Sequence, residues 1–149
     1  MMTIIIREAH KEDLDLLVQN NLALAKETES LDLNKDVLTK GVAQALIRSE
    51  CHYFVALIAE KVVGQTMITY EWSDWRNGII WWIQSVYVLP EHRKKGVFRT
   101  LFRHIENLAQ THPKVKALRL YVINNNEVGQ KTYKSLGMSD SGYIVFEKE

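Results

Sequence analysis

The run SVYVLPEHRKKGVFRTLFR, from Ser85 to Arg103, sets three unlike pieces side by side. The first is the end of an almost wholly apolar stretch, Gly78–Leu89. It reads as a strand buried on both faces, at the centre of a sheet. Pro90 stops that strand, because proline has no N–H for the ladder. A basic turn follows, Arg93-Lys94-Lys95-Gly96. From Gly96 a helix runs to about Thr111, with Val97, Leu101, Ile105, Leu108 and Ala109 on one stripe and Pro113 beyond its end. A helix N-terminus presents N–H groups without partners and a partial positive charge. Gly96 lets the backbone approach a ligand closely, and the basic side chains add attraction. Together these features suit a pyrophosphate. The competing reading is a solvated basic turn with no ligand. Neither G-x-x-x-x-G-K-[ST] nor G-x-G-x-x-G occurs, so a Walker loop and a Rossmann dinucleotide site are set aside.

On the N-terminal side, Thr3–Arg7 is short and β-branched and reads as a strand. Helices are predicted from about Lys11 to Thr28 and from Lys35 to Ser49. Leu14, Leu17, Val18, Leu22 and Ala25 form the stripe of the first; Leu38, Val42, Ala45 and Leu46 form that of the second. Asn34 or Asp32 is the N-cap of the second. Tyr53–Ala59 and Val62–Tyr70 read as a hairpin joined at Glu60–Lys61. Glu71–Gly78 is an exposed loop or the tip of a longer hairpin. On the C-terminal side the expected order is a strand at Ala117–Ile123, a helix at Asn126–Leu136 closed by Gly137, and a last strand at Tyr143–Lys148. The whole is β-α-α-β-β-β-α-β-α-β. That is one mixed α/β domain over residues 1–149, with no repeat or linker.

Val88-x-Pro90-x-x-Arg93-x-x-Gly96-Val97 resembles the acetyl-CoA motif of the GNAT N-acetyltransferase superfamily. Asn126-x-x-Gly129-x-x-x-Tyr133-x-x-x-Gly137-Met138 resembles that family's second motif. The element order agrees with it nearly end to end. Phe98 departs from the usual Gly or Ala, and Gly129 from the usual Ala. Only about eleven residues follow Met138, so the family's seventh strand is shortened, absent or supplied by a partner.

The resemblance implies a fold whose fourth and fifth strands splay apart, and a function, transfer of acetyl from acetyl-CoA to a primary amine in a ternary complex. The N–H groups along Lys94, Lys95, Gly96, Val97, Phe98 and Arg99, next to Arg93, would hold the coenzyme A pyrophosphate. Val86 and Val88 would pair with pantetheine through their backbones, as an added strand does. The Val88 N–H would polarise the thioester carbonyl. Asn126 would bond the pantetheine amide, or serve as a helix N-cap, or both. Tyr133 would protonate the departing sulfur; its other reading is a packing residue.

No general base stands on the fourth strand, where Gln84 occupies the place of a Glu common in the family. Gln84 and Ser85 would then hold a relaying water. Carboxylates elsewhere become candidates: Glu71 first, then Glu27 and Glu29 at the end of the first helix, and Asp74. Trp72 and Trp75 would flank the acceptor or an interface. The absence of a base also allows a second function, a non-catalytic acyl-CoA-binding sensor on the same fold.

Other classes fit less well. A formal net charge of +1 does not favour nucleic acid, although Arg93, Lys94, Lys95, Arg99 and Arg103 form a local patch. The five histidines have no metal-ligand spacing with one another or with Cys51, so no metal is expected. No stretch is long enough for a membrane span or reads as a secretory leader, and a lone cysteine forms no internal disulfide. These features give an expectation of cytoplasmic residence. The acceptor would be a small-molecule or peptide amine, and the short C-terminus is compatible with a homodimer.

Overall fold

The computed structural model describes residues 2–149. Five strands and four α-helices follow in the order β1 (Ile5–Glu8), α1 (Leu14–Glu29), α2 (Lys35–Ala45), β2 (Cys51–Ile58), β3 (Lys61–Ser73), β4 (Gly78–Val88), α3 (Val97–Thr111), β5 (Val115–Leu120) and α4 (Glu127–Ser135). One sheet carries the strands in sequence order. All pairs are antiparallel except β4 with β5, which α3 connects as a crossover. A parallel pair requires such a crossover, and the amphipathic α3 supplies it.

Strand alternation divides the core into two layers. Tyr53 and Val55 point to the α1–α2 side, where they pack with Leu17, Val18, Val42 and Ala45. Phe54 and Ala56 point to the other side and meet Val97, Leu101, Phe102 and Ile105 of α3, together with Ile68, Ile83 and Leu136. Asn34 caps α2, its Oδ1 accepting from the Val37 N–H at 3.0 Å.

The parallel ladder of β4 and β5 is short. It runs from Ile79↔Val115 to Ile83↔Leu120 and stops, while β4 continues to Val88. The two strands thus diverge, as expected for this fold. β4 also carries one extra residue against β3. Gln65 lies opposite Tyr87 and Met67 opposite Gln84, so two steps on β3 face three on β4. This is a β-bulge, and within it Ser85 has φ of 52°.

Two expectations are corrected. The last predicted strand, Tyr143–Lys148, is not formed: its residues are without ladder pairing, and Tyr143, Ile144, Val145 and Phe146 are strongly exposed. A strand needs a neighbour for its N–H and C=O groups, and this run has none; the Tyr143 ring lies under the Arg119 guanidinium at 5.6 Å. α2 ends at Ala45 rather than Ser49, its last carbonyls taken by Leu46, Ile47 and Arg48 in a turn. Of the two readings of Glu71–Gly78, the tip of a longer hairpin holds: β3 extends through Ser73, which pairs with Gly78 at the start of β4.

Candidate active site

Where β4 outruns β5, a cavity of about 510 Å³ opens between β4, the end of α1, the start of α3 and one face of α4. Val86, Tyr87, Val88, Glu27, Phe98 and Tyr133 are among its lining residues.

The backbone of β4 faces this opening in a definite way. The Leu89 N–H donates to the Val63 carbonyl of β3 at 2.9 Å. N–H groups alternate along an antiparallel ladder, so those of Val86 and Val88 point away from β3, toward the gap that β5 has left. They stand as an unpaired strand edge, the kind to which an extended amide chain adds.

The turn before α3 supplies the second element. Gly96 is its N-cap, with φ of 83°, and open space surrounds the place where a Cβ would stand. Lys94 is also left-handed, with φ of 60°. Among the described residues, nothing accepts from the N–H groups of Lys94 through Arg99; the first bond of the helix is Thr100 N–H to Gly96 O, 3.0 Å. Lys94, Gly96, Val97, Phe98 and Arg99 line the cavity. A row of free amides at a helix start, flanked by basic side chains, fits a diphosphate in charge and in hydrogen-bonding capacity. α3 can begin this close to the sheet because β3 has a glycine below it. A Cβ on Gly64 would stand 2.8 Å from Val97 Cγ1.

Phe98, the departure from a small residue, packs on both sides of the opening. Its ring lies 6.1 Å from Phe102 and 5.8 Å, edge-on, from Tyr133. Tyr133 is thereby held at the cavity wall, and burial pushes its phenol above the ordinary value. Asn126 caps α4, its Oδ1 accepting from the Gly129 N–H at 2.9 Å, and is not among the lining residues. Gly129 suits this cap, since a Cβ there would come within 2.6 Å of Asn126 Nδ2.

The carboxylates are distributed unevenly. Glu27 lines the cavity, accepting from the Tyr87 hydroxyl at 2.5 Å and from Arg93 Nη2 at 2.8 Å. Burial pulls its carboxyl up, but those two donors outweigh burial and hold it below the ordinary range. Burial, and then Glu27 itself, push the Tyr87 phenol up to about 12. Arg93 also donates from Nε to the Val88 carbonyl at 2.9 Å. Glu71 lies outside this lining, on β3, where its Oε1 accepts from Trp82 Nε1 at 2.8 Å. It pairs with Ile80, six residues before Val86, a strand distance of roughly 20 Å. Glu29, Asp74 and Lys95 are exposed and also outside the lining, and Trp75 is fully in solvent. Gln84 Nε2 donates to Thr69 Oγ1 at 2.6 Å.

Sequence reasoning missed Tyr87 and Gly64. Tyr87 looked like one more apolar residue in a buried strand, and its hydroxyl was the only signal. Gly64 was unremarked inside a hairpin strand, where a glycine is itself a sign of close backbone approach. No group of three or more metal-ligating side chains occurs among the described residues, and no helix there is long and apolar enough to cross a membrane.

A sequence model of the Acetyltransferase (GNAT) family matches residues 17–138, which include the cavity and both motifs. The chain belongs to the GNAT acetyltransferase family. A solved structure described as a possible acetyltransferase from Clostridium difficile 630 is 48% identical to this GNAT chain, with a TM-score of 0.91 over 98% of this chain and 97% of that one. Two curated relatives are thialysine N-epsilon-acetyltransferases. That of Bos taurus is 25% identical over 151 residues, 94% of this chain and 86% of its own length. That of Caenorhabditis elegans is 25% identical over 101 residues, 68% of this chain and only 60% of its own length.

Proposed function

We propose that this GNAT acetyltransferase moves the acetyl group of acetyl-CoA directly onto the primary amine of a small molecule. The observation that carries this reading is the pairing of a free amide row, Lys94–Arg99, with an unpaired strand edge, Val86 and Val88, along one cavity. Diphosphate and pantetheine are the two ligand pieces these features suit. The acetyl thioester supplies an electrophilic carbonyl and a thiol leaving group. In this reading the Val88 N–H donates to the carbonyl oxygen. Tyr133 gives its phenolic proton to the sulfur as the C–S bond breaks. Glu27 takes the proton that the amine loses as the C–N bond forms, directly or through the Tyr87 oxygen. Solvent exchange then returns the proton from Glu27 to Tyr133.

Glu27 is preferred to Glu71 as the base because only Glu27 lies on the cavity wall. Its lowered pKa keeps it ionised at neutral pH, so it attracts a cationic amine, which gives its first proton to solvent before attack and its second to Glu27 as the C–N bond forms. The curated relatives act, by their names, on an amino-acid side chain, which supports a small acceptor. Release of free thiol from acetyl-CoA in the presence of a panel of amino acids and diamines tests the proposal. Tight acetyl-CoA binding with no turnover on any of them would support the sensor reading instead.

The exposed run Tyr143–Phe146 supports a further part of the reading, a homodimer. The outer edge of β5 is free, and β5 and the run Tyr143–Lys148 are each six residues long. Pairing of this run with the β5 edge of a second copy would satisfy both. Light scattering would return the dimer mass for the intact chain and the monomer mass after Phe146→Asp with Ile144→Asp.

A further inference from the structure

The bulge leaves Ser85 and Val86 of β4 without a partner on β3, between Gln84 opposite Met67 and Tyr87 opposite Gln65. Two side chains of β3 donate to carbonyls at its lower end. Thr66 Oγ1 donates to the Gln84 carbonyl at 2.9 Å, and Gln65 Nε2 donates to the Ser85 carbonyl at 3.1 Å. Both residues are completely buried. They are neighbours in sequence and project to opposite faces of the sheet, so they grip the bulge from both sides.

The register that they hold decides what faces the cavity. Below the bulge Gln84 lies opposite Met67, and above it Tyr87 lies opposite Gln65. Without the extra residue, the upper half of β4 would slip by one position and every group would reverse. Val86 and Val88 would turn their N–H groups into β3. Tyr87 would leave Glu27. The bulge holds Ser85 in the left-handed region, φ 52°, which a residue with a Cβ adopts unwillingly. Something must secure it, and the two side-chain bonds are placed to do so.

Gln65 carries a second sign. Its Oε1 is buried with no partner among the described residues. An apolar residue of the same volume would avoid that loss, so core packing alone does not account for an amide here. The value of the side chain lies in its N–H donor.

We infer that Gln65 and Thr66 are positioning residues, which fix the β4 bulge and so turn the Val86 and Val88 N–H groups into the cavity, that of Val88 onto the thioester carbonyl. The inference rests on the acetyl-CoA reading of the cavity, but concerns residues that do not touch the ligand.

The test uses Thr66→Val, Thr66→Ser, Gln65→Leu and Gln65→Glu in the full chain. The infrared stretch of acetyl-CoA labelled with ¹³C at the thioester carbonyl is read when bound. In the wild type the frequency lies below that of free acetyl-CoA, because backbone N–H groups polarise the carbonyl. In Thr66→Val and Gln65→Leu it returns toward the free value, and kcat on an accepted amine falls about tenfold or more. Thr66→Ser keeps the hydroxyl and retains the wild-type frequency. Coenzyme A still binds in all four, because the helix start holds its diphosphate, and its affinity falls by a smaller factor than kcat does. Should Thr66→Val and Gln65→Leu fail to fold, Gln65→Glu replaces the donor with an acceptor of equal size and must show the same frequency change. Any folded donor-lacking variant with the wild-type frequency and kcat would overturn the inference. The carbonyl measurement needs no acceptor, so it still decides the point if no amine is ever acetylated.

Discussion

Arg93 Nη2 and Glu27 Oε1 are 2.8 Å apart, although 66 residues separate them in the chain. The contact joins the end of α1 to the turn before α3, and Tyr87 completes it from β4, its ring 5.3 Å from the guanidinium. Both charged side chains are about 40% exposed, 42% for Arg93 and 39% for Glu27. Solvent therefore screens the pair, and its worth to the fold is about 0.5 kcal/mol. Its significance is local: it places a carboxylate at the cavity. Glu27→Gln should lower the melting temperature by no more than about 2 °C. It should also remove the acidic limb of the pH profile of kcat/KM. Glu71→Gln, remote from the cavity, should leave that limb in place. The opposite pattern would return the role of base to Glu71.

Burial raises the Tyr133 phenol above its ordinary value and so favours its neutral form. That suits the proposed role of proton donor rather than base. Tyr133→Phe keeps the edge-on contact with Phe98 and should reduce kcat about 10² to 10³-fold, with coenzyme A affinity nearly unchanged. An unaltered kcat would remove Tyr133 from the chemistry.

Gly96 separates space from conformation. A Cβ there meets nothing within 4 Å, yet φ is 83°. Gly96→Ala should therefore cost about 1 kcal/mol through the backbone alone, read as a shift in the urea midpoint. Gly64→Ala should act the other way round, by contact. Its Cβ would press on Val97 Cγ1 at 2.8 Å and push the start of α3 from the sheet. Weaker coenzyme A binding is the expected result, measured by calorimetry.

A pH dependence of stability follows from Asp13. Arg7 donates to both its oxygens, at 2.8 and 3.2 Å, and the His10 N–H adds a third bond at 2.7 Å. The bonds from Arg7 hold its carboxyl below the ordinary range despite burial. A lowered folded pKa means stability that is present above the unfolded value and is lost as pH falls through the folded one. Asp13→Asn should cost about 1–2 kcal/mol at pH 7, and the difference from wild type should shrink below about pH 4. Thermal melts from pH 7 to pH 3 would show it; a constant gap would contradict it.

Much of this molecule was legible in its sequence, for a local reason. The strand, proline, basic turn and helix of Ser85–Arg103 are set by neighbours in the chain, and so is the Asn126–Gly129 cap. What escaped is long-range. Nothing near Tyr87 in sequence announces Glu27, and nothing near Gly64 announces Val97. The bulge at Ser85 depends on two side chains some twenty residues earlier. The run Tyr143–Lys148 has the composition of a strand, but composition does not provide a neighbour to pair with.

The central claim is that free amides at the start of α3 grip a diphosphate. Calorimetric titration with coenzyme A and, separately, with pantetheine tests it most directly, because the two share the arm and differ in the diphosphate and nucleotide. The account predicts measurable binding of coenzyme A, at least about a hundredfold weaker binding of pantetheine, and loss of the difference in Gly96→Val. Equal affinities for the two ligands, or a Gly96→Val protein that binds coenzyme A as wild type does, would contradict it.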